Sequence, residues 1–97
     1  MEDLERIKSL LSEQKPLLAE KFMVKEIGIF GSFVRGERVD ASDIDILVEF
    51  SKPVGFFTFI DLEDHLSEVL GIKVDLVFKK ALKPRIGRNI LRELVTI

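Results

Sequence analysis

From Asp43 to Phe50 the chain alternates without a break: Ile44, Ile46, Val48 and Phe50 fall on one parity, Asp43, Asp45, Leu47 and Glu49 on the other. A period of two marks a strand with one dry face and one wet face. Such a strand needs neighbours to pair its backbone and a layer of helices to cover its apolar side. Two further apolar runs supply neighbours. Val24 to Phe30 contains the β-branched Ile27 and Ile29 and ends at Gly31. In Ile72 to Phe78, the residues Ile72, Val74, Leu76 and Phe78 share one parity and Asp75 takes the other.

The segments between these runs have helical spacing. Leu4, Ile7, Leu10 and Leu11 predict an amphipathic helix over residues 2–14. Pro16 is expected to interrupt it or open a second turn, with Leu17, Leu18 and Phe22 continuing the stripe. Ser32 is expected to cap a short helix that stops at Gly36. Phe56 to Leu70 predicts a helix with Phe59, Leu62, Leu66, Val69 and Leu70 inward, ended by Gly71. Pro84 suits the first turn of a closing helix expected to bury Ile86, Ile90, Leu91 and Leu94. The order αβαβαβα gives an α/β (α+β) chain with a three-stranded sheet flanked by helices, read as one domain over residues 1–97.

A chain of 97 residues has room for one core and one site, without a second substrate-recognition domain. No apolar stretch approaches the roughly 20 residues that span a bilayer. Glu2, Asp3 and Glu5 are acidic where a signal peptide would be basic. The absence of cysteine excludes disulfides and thiolate chemistry, and together these features point to the cytoplasm. The net charge of −2 hides a division: residues 1–78 carry nine Lys/Arg against sixteen Asp/Glu, whereas residues 79–97 carry six basic residues and Glu93 alone. The segment from Lys79 to Arg92 is therefore either a solvated helix face or a surface for an acidic partner, a nucleic acid or a nucleotide's phosphates.

Asp43 and Asp45 project from the same side of their strand, and two carboxylates on one face repel unless a proton, a basic group or a divalent cation lies between them. Hard oxygen donors favour Mg²⁺, with Mn²⁺ as the alternative. A lone DxD pair is more often a solvated strand edge. Asp75, on the polar parity of the third run, adds a third acid if the two strands are neighbours. Gly31 permits a tight turn at the end of the first strand. Ser32 opens a helix whose free N–H groups suit a phosphate, with Arg35 one turn on. Taken alone, the glycine-serine turn is an ordinary helix cap, and only its combination with the three acids points to a site. His65, the sole histidine, has no paired ligands and reads as a surface residue, and Phe56, Phe57 and Phe59 as core and loop packing.

Gly31-Ser32, ten residues, then Asp43-Ile44-Asp45 resembles the signature of nucleotidyltransferases in the DNA polymerase beta superfamily. The strings Phe30-Gly31-Ser32-Phe33-Val34-Arg35-Gly36, Ser42-Asp43-Ile44-Asp45-Ile46-Leu47-Val48 and Gly71-Ile72-Lys73-Val74-Asp75-Leu76-Val77 resemble its smallest members, the minimal nucleotidyltransferases. Many of those are antitoxins paired with HEPN-domain ribonuclease toxins. The resemblance implies a polymerase-beta-like fold with a mixed sheet. It implies Asp43, Asp45 and Asp75 as catalytic residues and as ligands of two Mg²⁺ ions. Gly31, Ser32, Arg35 and Ser42 would bind the nucleotide. The implied reaction moves AMP from ATP to a partner's tyrosine hydroxyl, and since this chain has no tyrosine, that acceptor lies in the HEPN toxin. Two other classes remain: a non-catalytic antitoxin that occludes a toxin, and a nucleic-acid terminal transferase, which the acidic balance and the lack of an aromatic stacking series disfavour.

Overall fold

The computed structural model describes residues 4–36 and 43–97. Helix α1 (Leu4–Phe22) carries Ile7, Leu11, Leu18 and Phe22 into the core and runs unbroken through Pro16. Proline removes one backbone donor and crowds the carbonyl four residues earlier. Here Ser12 and Pro16 both face solvent, so water can take up the freed carbonyl while the buried stripe holds the helix together. Leu17, expected in that stripe, is instead exposed.

Strand β1 (Val24–Phe30) leads through Gly31 into the one-turn helix α2 (Ser32–Arg35). Strand β2 (Ile44–Phe50), helix α3 (Phe56–Leu70) and strand β3 (Val74–Phe78) follow. A 3₁₀ turn (Lys79–Ala81), helix α4 (Pro84–Glu93) and strand β4 (Val95–Thr96) complete the described elements. The sheet is mixed, in the order β3-β2-β1-β4. β1 is antiparallel to β2 and β4, and β2 and β3 are parallel. A parallel pair needs a crossover, and α3 provides it.

One face of this sheet is dry. Ile27, Ile29, Ile44, Ile46, Val48, Phe50, Val74 and Leu76 form a single cluster with the buried residues of α1 and with Leu62, Leu66 and Leu70 of α3. Each such side chain taken from water stabilises by roughly 1.5–3 kcal/mol. The outer edge of β3 is closed by α3 itself: the Val74 N–H donates to Ser67 Oγ at 3.0 Å and the Leu76 N–H to Glu63 Oε2 at 2.9 Å. These bonds satisfy donors that an edge strand would otherwise present to solvent or to another chain. His65 pairs with Gln14 of α1 at 2.8 Å, so it joins the two helices.

The sheet has four strands where the sequence predicted three. β4 is two residues long and follows a helix directly, so it has no alternation to read. Its pairing is nonetheless plain: Gly28 opposes Thr96, Ile29 opposes Val95, and the Ile97 N–H donates to the Ile27 carbonyl at 3.0 Å. Gly28 makes this possible, because a Cβ there would lie 2.7 Å from Leu94 Cδ1.

α4 departs further from expectation. Ile86 and Leu91 are 54% and 46% exposed, Ile90 and Leu94 are half-buried, and Gly87 alone is buried within the helix. The helix meets the rest of the chain through Gly87 against Leu82 and, at its last residue, through Glu93 against Gly31 and Arg35. It lies toward the sheet's wet face, where carboxylates alternate with Leu47 and there is little apolar surface to pack against. Among the described residues no helix is long and apolar enough to cross a membrane.

Candidate functional site

The wet face gathers its chemistry at one end of the sheet. Asp43 immediately precedes β2 and Asp45 is its second residue. Parallel pairing sets Asp45 directly opposite Asp75 of β3, and antiparallel pairing sets it opposite Phe30, the last residue of β1. Asp45 therefore stands on a central strand, with a carboxylate to one side and the glycine turn to the other.

Gly31 holds φ +81° and ψ −158°, a conformation that L side chains avoid. A Cβ at this position would also run into the Asp45 carboxyl, whose Cγ would be 3.0 Å away. Two independent constraints thus require glycine at this position. The Gly31 carbonyl accepts from the Val34 and Arg35 N–H groups at 3.1 and 3.2 Å, starting α2. Gly31, not Ser32, occupies the cap position, and among the described residues no side chain caps the turn. Glycine takes that place because only it tolerates this backbone angle. Ser32 falls inside the helix, and its hydroxyl is not spent on capping. Gly36 ends the turn in the left-handed region at φ 74°.

The electrostatics follow from this crowding. Burial pushes the Asp45 carboxyl above its ordinary value of 3.8; the charges of Asp75 and Asp43 and a hydrogen bond with Asp75 push the same way, and Arg35 pulls against them. Like charges around one half-buried carboxyl form a donor set that a hard divalent cation would resolve. Among the described residues no three acidic or histidine side chains already stand close enough together to hold an ion. The fit to magnesium therefore lies in donor chemistry and unmet positive charge, not in a finished cage.

Sequence reasoning missed one residue. Glu93, at the end of α4, accepts from the Gly31 N–H through Oε1 at 3.0 Å. Arg35 Nη1 donates to the same oxygen at 3.1 Å and to Oε2 at 2.9 Å. The available signal was its isolation as the sole acid in the basic segment 79–97. By itself that isolation indicates no more than charge balance. Of the residues expected to bind nucleotide, Gly31 lies against the Asp45 carboxyl, Arg35 acts on it by charge, Ser32 follows Gly31 as the first residue of α2, and Ser42 lies outside the described residues.

A glycine turn ending one strand is thus set against strand-borne carboxylates on a mixed sheet. Residues 6–97 match the model of the nucleotidyltransferase domain, and the chain belongs to that family. It is 49% identical over 94 residues to the protein adenylyltransferase MntA of Thermococcus cleftensis, covering 97% of this chain and 95% of that one. A solved structure provisionally described as a minimal nucleotidyltransferase superimposes with TM-score 0.78 at 32% identity, over 99% of this chain and 97% of the other. A complex described as a tri-AMPylated Shewanella oneidensis HEPN toxin with its MNT antitoxin aligns with TM-score 0.60 over 95% of this chain and 66% of that chain. At 22% identity, that last likeness speaks to fold alone.

Proposed function

We propose that this nucleotidyltransferase transfers AMP from ATP to a hydroxyl, a tyrosine's above all, on a HEPN-family toxin, and so acts as that toxin's antitoxin in the cytoplasm. The observation that carries the reading is the position of Asp45, between Asp75 across a parallel pair and the Gly31 turn beyond β1. The relative MntA is named a protein adenylyltransferase, and the Shewanella complex is described as holding an AMPylated HEPN toxin.

In this reading Asp43, Asp45 and Asp75 hold one or two Mg²⁺ ions, which when bound supply charge neutralisation at the triphosphate. Gly31, Ser32 and Arg35 steady the β- and γ-phosphates, which leave as pyrophosphate, and Ser42 contributes from the adjoining segment. Asp75, the exposed member of the three acids, faces the incoming hydroxyl and helps remove its proton. The hydroxyl oxygen attacks the α-phosphorus in line with the leaving pyrophosphate. Positioning and charge do the catalytic work, without a covalent enzyme intermediate.

The deciding experiment incubates the chain with Mg²⁺, α-labelled ATP and the product of the adjacent gene. Label should pass to that product, and Asp43→Ala/Asp45→Ala should abolish transfer. A second reading, neutralisation by occlusion alone, draws on the exposed Ile86 and Leu91 within the basic segment from Lys79 to Arg92. It gains ground only if the double variant still neutralises the toxin. Transfer of label to RNA in place of protein would favour a terminal nucleotidyltransferase.

A further inference from the structure

We infer that Glu93 is a positioning residue for the phosphate-binding turn: it anchors the Gly31 N–H and aims Arg35 away from the catalytic carboxylates. The inference rests on the proposed nucleotide site and adds a residue from the far end of the chain to it.

The placement follows from the ladder. Gly28 pairs with Thr96 and Ile29 with Val95, so continuing the same antiparallel register by two residues sets Glu93 beside Gly31. The two-residue strand β4 thus delivers this side chain to the turn. Glu93 does not serve its own helix, because an acid in the last turn of α4 opposes the helix dipole. Its carboxylate is only 26% exposed, and its hydrogen bonds go to Gly31 and Arg35, the two ends of one short turn.

Each bond has a distinct consequence. The Gly31 N–H belongs to a buried residue in a backbone conformation that costs energy unless its surroundings enforce it. Anchoring that N–H keeps the turn in the shape that lets Asp45 approach. The pair with Arg35 places one guanidinium nitrogen across both carboxylate oxygens, which tethers that end of the group to Glu93 by charge-assisted bonds. Arg35 already exerts its charge on Asp45. Released from Glu93, its guanidinium would be drawn toward the three aspartates and would compete for the place of a divalent cation. Glu93 therefore keeps the acids available and the arginine aimed at a phosphate.

Glu93→Gln loads the two functions unequally, since its amide oxygen can still accept from Gly31 and from Arg35 Nη1, while the negative charge that Glu93 sets against Arg35 is gone. For Mg·ATP binding measured by calorimetry, we expect Kd to rise about tenfold in Glu93→Gln and further in Glu93→Ala. The Mg²⁺ concentration needed for half-maximal transfer should rise with it, while kcat at saturation changes less than about threefold. Arg35→Ala/Glu93→Gln should bind no more weakly than Arg35→Ala, because one acts through the other. Unchanged or tighter Mg·ATP binding in Glu93→Gln would overturn the inference, as would fully additive losses in the double variant. Asp43→Ala/Asp45→Ala is the control. If wild type binds Mg·ATP and this control does not, a null result at Glu93 rejects the positioning role alone. If wild type itself fails to bind, both proposals fall.

Discussion

Asp45 lies directly opposite Asp75 on the parallel pair β2/β3, and its carboxyl also lies over the Cα of Gly31. One side chain is thus shared between the acid cluster and the glycine turn, so changes on either side should be felt at Asp45.

That sharing predicts a pH-dependent stability with a definite sign. The folded Asp45 carboxyl is held above its ordinary value of 3.8, so its ionisation works against the fold. Its contribution is fully present below the unfolded value and is lost as pH rises through the higher folded one. In EDTA, Asp45→Asn should therefore melt higher than wild type at pH 7, and the difference should shrink toward pH 3. Thermal melts across this range, without divalent ions, test it. A variant less stable than wild type at pH 7 would contradict burial and carboxylate repulsion as the origin of the shift. The same variant should lose transfer activity altogether.

Gly31→Ala should be costly twice over. Its φ of +81° strains any L residue, and its Cβ would displace the Asp45 carboxyl. A loss of about 2 kcal/mol in urea unfolding is expected. Labelled-ATP transfer should fall by more than about a hundredfold, because misplaced catalytic groups lose rate steeply. Transfer within a few-fold of wild type would show that the turn tolerates a methyl group after all.

Glu63 lies outside the site but supports it. Its carboxylate accepts the Leu76 N–H, one residue beyond Asp75, and so helps hold β3 against α3. Glu63→Ala leaves that donor without its partner and should cost about 1–2 kcal/mol, read from a shift in the urea midpoint. Glu63→Gln keeps an acceptor and should recover most of the loss.

The outer side of α4 is expected to matter for partners and not for folding. Ile86 and Leu91 are largely exposed, so Ile86→Ser/Leu91→Ser should leave the urea midpoint within about 0.5 kcal/mol of wild type. Complex formation with the adjacent gene product should weaken, as measured by analytical ultracentrifugation. A large stability loss would mean that this face is packed within the chain.

The local code of the chain was legible to a useful depth. Val24 to Phe30, Ile44 to Phe50 and Phe56 to Leu70 have the bounds that periodicity and punctuation predicted, and the third strand begins at Val74, two residues later than expected. These elements bury a full face or stripe, and burial writes itself into the sequence as a period. The misreadings share a cause. Pro16 is a helix breaker in isolation, yet a helix packed through Ile7, Leu11, Leu18 and Phe22 outweighs one missing bond. The apolar residues of α4 promised burial, but among the described residues only Ile90 and Leu94 gain part of it, while Ile86 and Leu91 stay exposed.

Sequence alone determined which residues alternate, where the turns fall and that three acids share the wet parity, because those properties are local to a strand or a turn. It could not determine which strands are neighbours. The parallel register that sets Asp45 against Asp75, the brief β4 that brings Glu93 to Gly31, and the exposed side of α4 were decided by tertiary structure. Each depends on contacts between residues far apart in the chain, and a pairing made through backbone groups leaves no trace in side-chain pattern.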